Sequence, residues 1–546
     1  MHFGFTCDAV GCRDISAAHS PVHLQECDSK LLDPLWRPGW DVDNREPDDI
    51  RAPIGYGGYP WGNTQPFNIL QLEQNEGIEY DRSLDLLFAA CEDLRNVMMT
   101  VIGIPADYPA KITITINDQP LNNVARIIII LRYLFDQNYG SRIVDDIIHF
   151  WYSACIPATM HQYMSETLLG EVEREVENQS HSLKKQDRPI TVLWGRGKLK
   201  VTLKKSEWVN FKLHIANAVA MDDLEETQEA RIDAVASPDS LDLRETFLFR
   251  QPAPCRLSFE KWRKDGMLFP FGWTIPKSFR PNATLFCLED GKLKWLPHAA
   301  SRPDYGWSRA EFMKADTSAA TNDIFAKLYT YIHSIITKFH KQITVLNVEF
   351  DVVHSTLSEL PRFLGDLCGY YKGLPTFNRI ETSNLADPMN FGTVPTINMF
   401  STLLNQSNPH ATLIISFLHI AENPSEALLE NEQDRHNADD LLSTFFPSSS
   451  DREFDAVDRM RKTYNFLFQD FERTFGESFQ KLLALGNDIN IHISVKYAHS
   501  IIDPWPNHVK KRGVEEPGTF EEFANHVNEG RWPGLRYVEL QILPPP

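Results

Sequence analysis

The chain has few cysteines, no apolar run long enough to cross a membrane, and no glycine in the one turn where a nucleotide-binding sheet most needs it. Eight cysteines in 546 residues are too few for a disulfide scaffold. Cys91, Cys155, Cys255, Cys287 and Cys368 stand in mostly apolar surroundings, so reduced, buried thiols and a cytoplasmic location are expected. Without a stretch of 18 apolar residues, no membrane span is expected. The opening MHFGFTCDAVGCRD has no basic segment leading into an apolar core, so no secretory signal is expected either. GxSxG, GxxxxGKS/T and HExxH are all missing, which leaves no trace of a nucleophile elbow, a phosphate loop or a zinc protease site. The net charge of −20 argues against non-specific binding to nucleic acid or to an anionic membrane.

The informative part of the chain centres on Leu84 to Leu134. Leu84–Cys91 is an almost continuous apolar run, as in a strand buried on both faces. Glu92, Asp93 and Asn96 then crowd a turn where acids and Asn suit a helix start. Leu94, Val97, Met98 and Val101 come next at helical spacing, and Gly103 and Pro105 end that helix. Lys111–Ile116 alternates Ile with Thr and ends at Asn117-Asp118, a second strand. Leu121–Leu134 is apolar nearly all round, a deeply packed helix.

In an open α/β sheet, ligands bind outside the carboxyl ends of the strands. The Cys91–Asn96 turn and Asp118 fall there, and an acid ending the second strand can accept hydrogen bonds from ribose hydroxyls. Cys91, Asp93, Asn96 and Asp118 are therefore candidate cofactor contacts. Asp93 could equally cap its helix while Arg95 pairs with an acid. The turn usually needs glycine so that backbone can approach the ligand, and Glu92 would repel a carboxylate or phosphate.

The segment FAACEDLRNVMMTV with INDQPLNNVAR resembles the signature of a domain of unknown function found in fungal proteins and in dynein axonemal assembly factor 3. Further landmarks fit the resemblance: Trp61-Gly62-Asn63, Leu72 to Gly77, Gly195-Arg196-Gly197, Asp265 to Gly272, Asn322-Asp323, Arg379 to Asn384 with Asp387, and Asn408 to Ile414. The resemblance implies a class I methyltransferase-like Rossmann core, with S-adenosylmethionine as the cofactor to consider. It would place Glu359, after the third strand, near an adenine, and Asn384 in the ligand region. Glu92 stands where that family usually has glycine.

The N-terminal cluster Cys7, Cys12, His23 and Cys27 is the one candidate metal site, for zinc. His23 and Cys27 sit four apart, able to meet on one helical face. The stretch after Cys27 resembles the segment downstream of a MYND-type zinc finger, but the paired cysteines of such a finger are missing. A degenerate finger and a remnant with free thiols both stay open. His354, His410 and His419 lie beside apolar strands, where satisfied structural histidines are the ordinary case.

Strands expected near 84, 111, 343, 377, 411, 488 and 537 make seven, with a late antiparallel edge. The fold class expected is α/β, a seven-stranded methyltransferase-like doubly wound sheet with a large, mainly helical insertion. The organisation expected is a degenerate finger at 1–30, an irregular aromatic arm at 31–80, a first core half at 81–135, an insertion at 136–342 and a second core half at 343–546. The arm should cover a sheet edge or the mouth of the pocket. The insertion should hold helices, a hairpin turned at Gly195-Arg196-Gly197 and a helix over Asn322–His340. Two functions remain: a non-catalytic assembly or interaction module with protein partners, or an S-adenosylmethionine-dependent methyltransferase.

Overall fold

The computed structural model describes residues 60–546, apart from 137–139, 181–188, 236–244, 246, 249–250, 290–291, 297–301, 318–320, 369–373, 419–470, 486–492, 511–518, 530–533 and 543–546. The cluster Cys7, Cys12, His23 and Cys27 lies outside the described residues, as do His419 and most of the 31–80 arm.

A mostly parallel sheet organises the chain. Its strands are β1 (Leu84–Ala89), β2 (Ile112–Asp118), β3 (Pro189–Trp194), β4 (Leu199–Lys204), β5 (Val348–His354), β6 (Arg379–Glu381), β7 (Thr412–Phe417), β8 (Ile493–Val495) and β9 (Arg536–Ile542). Their spatial order is β8-β9-β7-β6-β1-β2-β5-β4-β3. β7, β6, β1, β2, β5 and β4 run parallel, β9 is antiparallel to both β7 and β8, and β3 is antiparallel to β4.

Side-chain alternation assigns the two faces of the sheet. Leu84, Leu86 and Phe88 of β1 join Ile112, Ile114 and Ile116 of β2 in one core, while Leu87 and Ala89 join Leu413, Ile415 and Phe417 of β7 in the other. The first face is covered by α1 (Arg95–Ile102), α2 (Leu121–Leu134), α3 (Lys205–Ala220) and α4 (Ile324–Val345). The second is covered by α5 (Leu360–Cys368), α6 (Thr393–Ser401) and α7 (Phe471–Leu485). Burial on both faces explains why β1 and β7 read as unbroken apolar runs.

The structure corrects the expected sheet in three ways. The sheet has nine strands among the described residues, not seven. The hairpin turned at Gly195-Arg196-Gly197 is not separate from the core. Its β4 pairs in parallel with β5, Leu199 opposite Phe350 and Val201 opposite Val352. The strand expected from Ile343 begins at Val348, because α4 runs on to Val345. Asp323 starts that helix by accepting from the Ala326 N–H (3.1 Å), a side-chain N-cap.

Cys155 and Cys255 are buried free thiols, Cys91 is partly buried, and Cys287 is exposed. Cys287 departs from the expectation because it sits in a ribbon, Phe286–Glu289 against Lys292–Trp295, that is paired to the sheet by neither strand. Among the described residues, no helix is long and apolar enough to cross a membrane.

Candidate functional site

The carboxyl ends of β1 and β6 and the amino end of α1 converge on a cleft, closed on the outside by residues 61–69. Two left-handed residues turn the chain out of β1, Ala90 (φ 58°) and Glu92 (φ 47°), and Ser383 (φ 50°) does the same after β6. Each carries a Cβ in a region that glycine enters freely, at a cost of about 1 kcal/mol or more. The turn therefore keeps a side chain, the Glu92 carboxyl, where a glycine turn would leave bare backbone.

Four carboxyls meet here: Glu92, Asp93, Asp118 and Glu381. Asp93 is committed to structure. Its Oδ1 accepts from the Arg95 N–H (2.9 Å), and its Oδ2 accepts from Arg95 Nε (2.8 Å) and from the Gly62 N–H (2.7 Å). The guanidinium also donates to the Gly306 carbonyl (2.9 Å) and lies over the Trp307 ring. Arg95 thus pairs with Asp93, but Asp93 does not cap α1: the N-cap position is Leu94, and Asp93 stands one residue before it.

Asp118 is held on both oxygens as well. Oδ1 accepts from the Gln119 N–H (2.8 Å), and Oδ2 accepts from the Glu92 N–H (3.1 Å) and from Asn123 (3.0 Å). Burial raises its carboxyl above the usual range, against these three hydrogen bonds. Asn96 holds the covering segment by accepting from the Phe67 N–H (3.1 Å). The Cys91 thiol donates to the Asp93 carbonyl (3.0 Å), and burial with the surrounding carboxylates pushes it well up, which favours the thiol over the thiolate.

Of the four carboxyls, Glu92 and Glu381 are pushed up furthest. Burial, with Asp118 and Asp93 beside it, pushes Glu92 up to about 8. Burial pushes Glu381 up to about 7, although the Ser383 N–H (2.7 Å) and the Asn96 side chain favour its charged form. Both carboxyls are neutral for much of the range in which a surface glutamate is ionised. Tyr537 and Ser416, directly opposite each other on β9 and β7, complete the wall.

The expected site residues thus fall into two groups. Cys91, Asp93 and Asn96 line the cleft, and Asp118 supports its floor through the Glu92 N–H. Glu359 and Asn384 do not line it. Glu359 is drawn to the surface by Lys204 of β4, Nζ to Oε1 2.8 Å, a partner that only the unexpected pairing of β4 with β5 supplies. Asn384 yields its place to Ser383, whose left-handed backbone turns the chain at that point. Glu381, Ser416, Tyr537, Gly62 and Thr64 were missed. A sequence signal was available for two of them, since Glu381 lies within the Arg379–Asn384 landmark and Gly62 within the Trp61–Asn63 landmark.

That landmark and the one at Leu72–Gly77 meet directly. Arg379 donates to Glu76 Oε2 (2.8 Å), and the two side chains are 0% and 1% exposed. Arg379 also holds the carbonyls of Leu70, Asn378 and His410, while Asn408 donates to Glu76 Oε1 (2.9 Å). The pair docks the segment before β1 onto the sheet.

Residues 60–156 match the family model of a domain of unknown function, DUF4470. The match begins with the segment over the cleft and runs through β1, α1, β2 and α2, so it contains Gly62, Glu92, Asp93, Arg95, Asn96 and Asp118. No curated protein and no solved structure matches the chain. Among the described residues, no cluster of His, Cys, Asp and Glu could hold a metal ion.

Proposed function

We propose that this chain is a methyltransferase-like Rossmann module that does not catalyse methyl transfer and works through protein partners, as an assembly or interaction module. Two lines support the methyltransferase-like part. The strands β5-β2-β1-β6-β7-β9-β8 form a seven-stranded set with one late antiparallel member, the plan that the sequence resemblance implies. The cleft also lies at the carboxyl ends of its central strands, where such sheets bind ligands.

The observation that carries the non-catalytic part is the state of that cleft. Its cavity is about 20 Å³, room for a water but not for a nucleoside, whose pockets run to about 300 Å³ or more. A Cβ placed on Gly62 would come within 3.3 Å of Glu92 Oε2, so the covering segment rests directly on the carboxyl that replaces bare backbone. Both oxygens of Asp118, the candidate ribose acceptor, already have backbone or amide donors. This space is too small for S-adenosylmethionine. The role in assembly rests on the sequence resemblance alone, which is analogy.

Isothermal titration with S-adenosylmethionine tests the reading. The wild-type chain is expected to bind no more tightly than about 1 mM, a free energy of about −4 kcal/mol. Micromolar binding that Asp118→Ala abolishes would replace it with the methyltransferase reading.

A further inference from the structure

We propose that residues 62–68 form a strap held shut by protonation of Glu92 and Glu381 beneath it and released as those two carboxyls ionise. The proposal rests on the sealed cleft of the non-catalytic reading.

The strap hangs between two buried anchors. On one side Trp61, 2% exposed, packs on Tyr152 (5.4 Å between ring centres) and donates to the Arg302 carbonyl (3.1 Å). On the other, Ile69 and Leu70 are fully buried. Residues 63–68 between them are only half-buried. Two hydrogen bonds hold the strap backbone, Gly62 N–H to Asp93 just before α1 and Phe67 N–H to Asn96 of α1, and the anchor adds a third, Ile69 N–H to Thr100 (3.1 Å). Two of the three acceptors belong to side chains that face the carboxyl cluster.

The charges around Glu92 are unbalanced. Asp118 faces it from the end of β2, Asp93 and Arg95 from the start of α1, and Glu381 from β6. Tyr537 of β9 faces Glu381, and the Cys91 thiol feels all four carboxyls. His354 of β5 acts on Asp118, and Arg126 and Tyr152 act at the far side of Asp93 and Arg95. Gly62 to Asn68 brings no titratable group. Asp93 already consumes the Arg95 charge. Ionising Glu92 therefore places a charge with no cation to itself in a nearly dry space, and ionising Glu381 adds a second that only the Ser383 N–H and Asn96 meet; lifting the strap is the motion that lets water reach them.

The sign comes from linkage. In the shut state the two carboxyls hold their protons up to about 8 and about 7. Solvated glutamate releases its proton near 4.5. Opening between those values releases protons, so the shut state is fully favoured on the acid side. It loses that advantage as pH rises from about 4.5 to about 7 for Glu381 and about 8 for Glu92, by up to about tenfold per pH unit for each carboxyl.

Hydrogen exchange by mass spectrometry on the ligand-free full chain tests this, with rates corrected for the intrinsic pH dependence of amide exchange. Between about pH 5.5 and about pH 8, the protection of peptides covering 62–69 is expected to fall by at least about tenfold. Peptides covering β1 should hold theirs. In Glu92→Gln with Glu381→Gln the strap protection should be independent of pH. Flat protection in the wild type, a fall that persists in the double variant, or a fall shared equally by β1 would each overturn the proposal. No cofactor enters the experiment, so its failure is separate from the outcome of the S-adenosylmethionine titration.

Discussion

The ion pair between Glu76 and Arg379 gives the sharpest test of how the covering segment is held. Glu76→Ala leaves the guanidinium buried with carbonyl acceptors alone. Removing one partner of a buried pair costs about 3–5 kcal/mol. The carbonyls of Leu70 (3.1 Å), Asn378 (2.8 Å) and His410 (2.7 Å) still accept from Arg379, which places the expected loss at the lower end, about 3 kcal/mol. That is a large part of a typical stability of about 5–15 kcal/mol. Glu76→Gln keeps an acceptor and should cost about 1–2 kcal/mol. Glu76→Leu with Arg379→Met removes both charges and should recover part of the loss, giving a coupling energy of about 2 kcal/mol in a double-mutant cycle closed by the single variants Glu76→Leu and Arg379→Met. Urea unfolding monitored by circular dichroism reads all of these proteins. A Glu76→Ala variant within about 1 kcal/mol of wild type would mean that the pair behaves as a solvated one, and the docking argument would fail.

The same packing makes two further predictions. A Cβ on Gly62 would clash with Arg95 Nη2, and Arg95 is pinned by Asp93, Gly306 and Trp307; Gly62→Ala should lower stability by about 1–3 kcal/mol, read by thermal unfolding, while Gly272→Ala, with nothing near its Cβ and no positive φ, separates the clash from simple loss of a glycine. His354 lies between Glu207 (2.9 Å) and the Gln119 carbonyl (2.7 Å). Burial opposes its charge, but Glu207 and Gln119 outweigh it and raise its pKa. The stabilisation from protonated His354 is therefore complete below the ordinary value near 6.5 and is lost as pH rises through the higher folded value. His354→Gln should remove that component from the pH dependence of the urea midpoint, and an unchanged profile would refute the clamp.

The strands of the central sheet were legible because β1, β2 and β7 are apolar on both faces or alternate strictly, patterns that local sequence carries. The pairing of β4 with β5 was not, since residues 199 and 350 leave no local record of being neighbours. The stretch Ile343–Val348 suits helix or strand equally, and the long apolar face of α4 carried it on to Val345. Asp93, Asn96 and Asp118 could be found because strand ends fix where such groups fall. Glu381 and Tyr537 could not be placed beside them before the register was known. Arg95 shows the limit of motif reading: it lies in the signature, yet its charge is spent on Asp93, 2.8 Å away.

The central claim is that the cleft's own side chains occupy the room a nucleoside would need. A crystal structure of the chain soaked in S-adenosylhomocysteine measures this directly. The account predicts Glu92 still against Gly62 and no nucleoside density between β1 and β6. Continuous density for the ligand in that space, with residues 62–68 displaced, would contradict it.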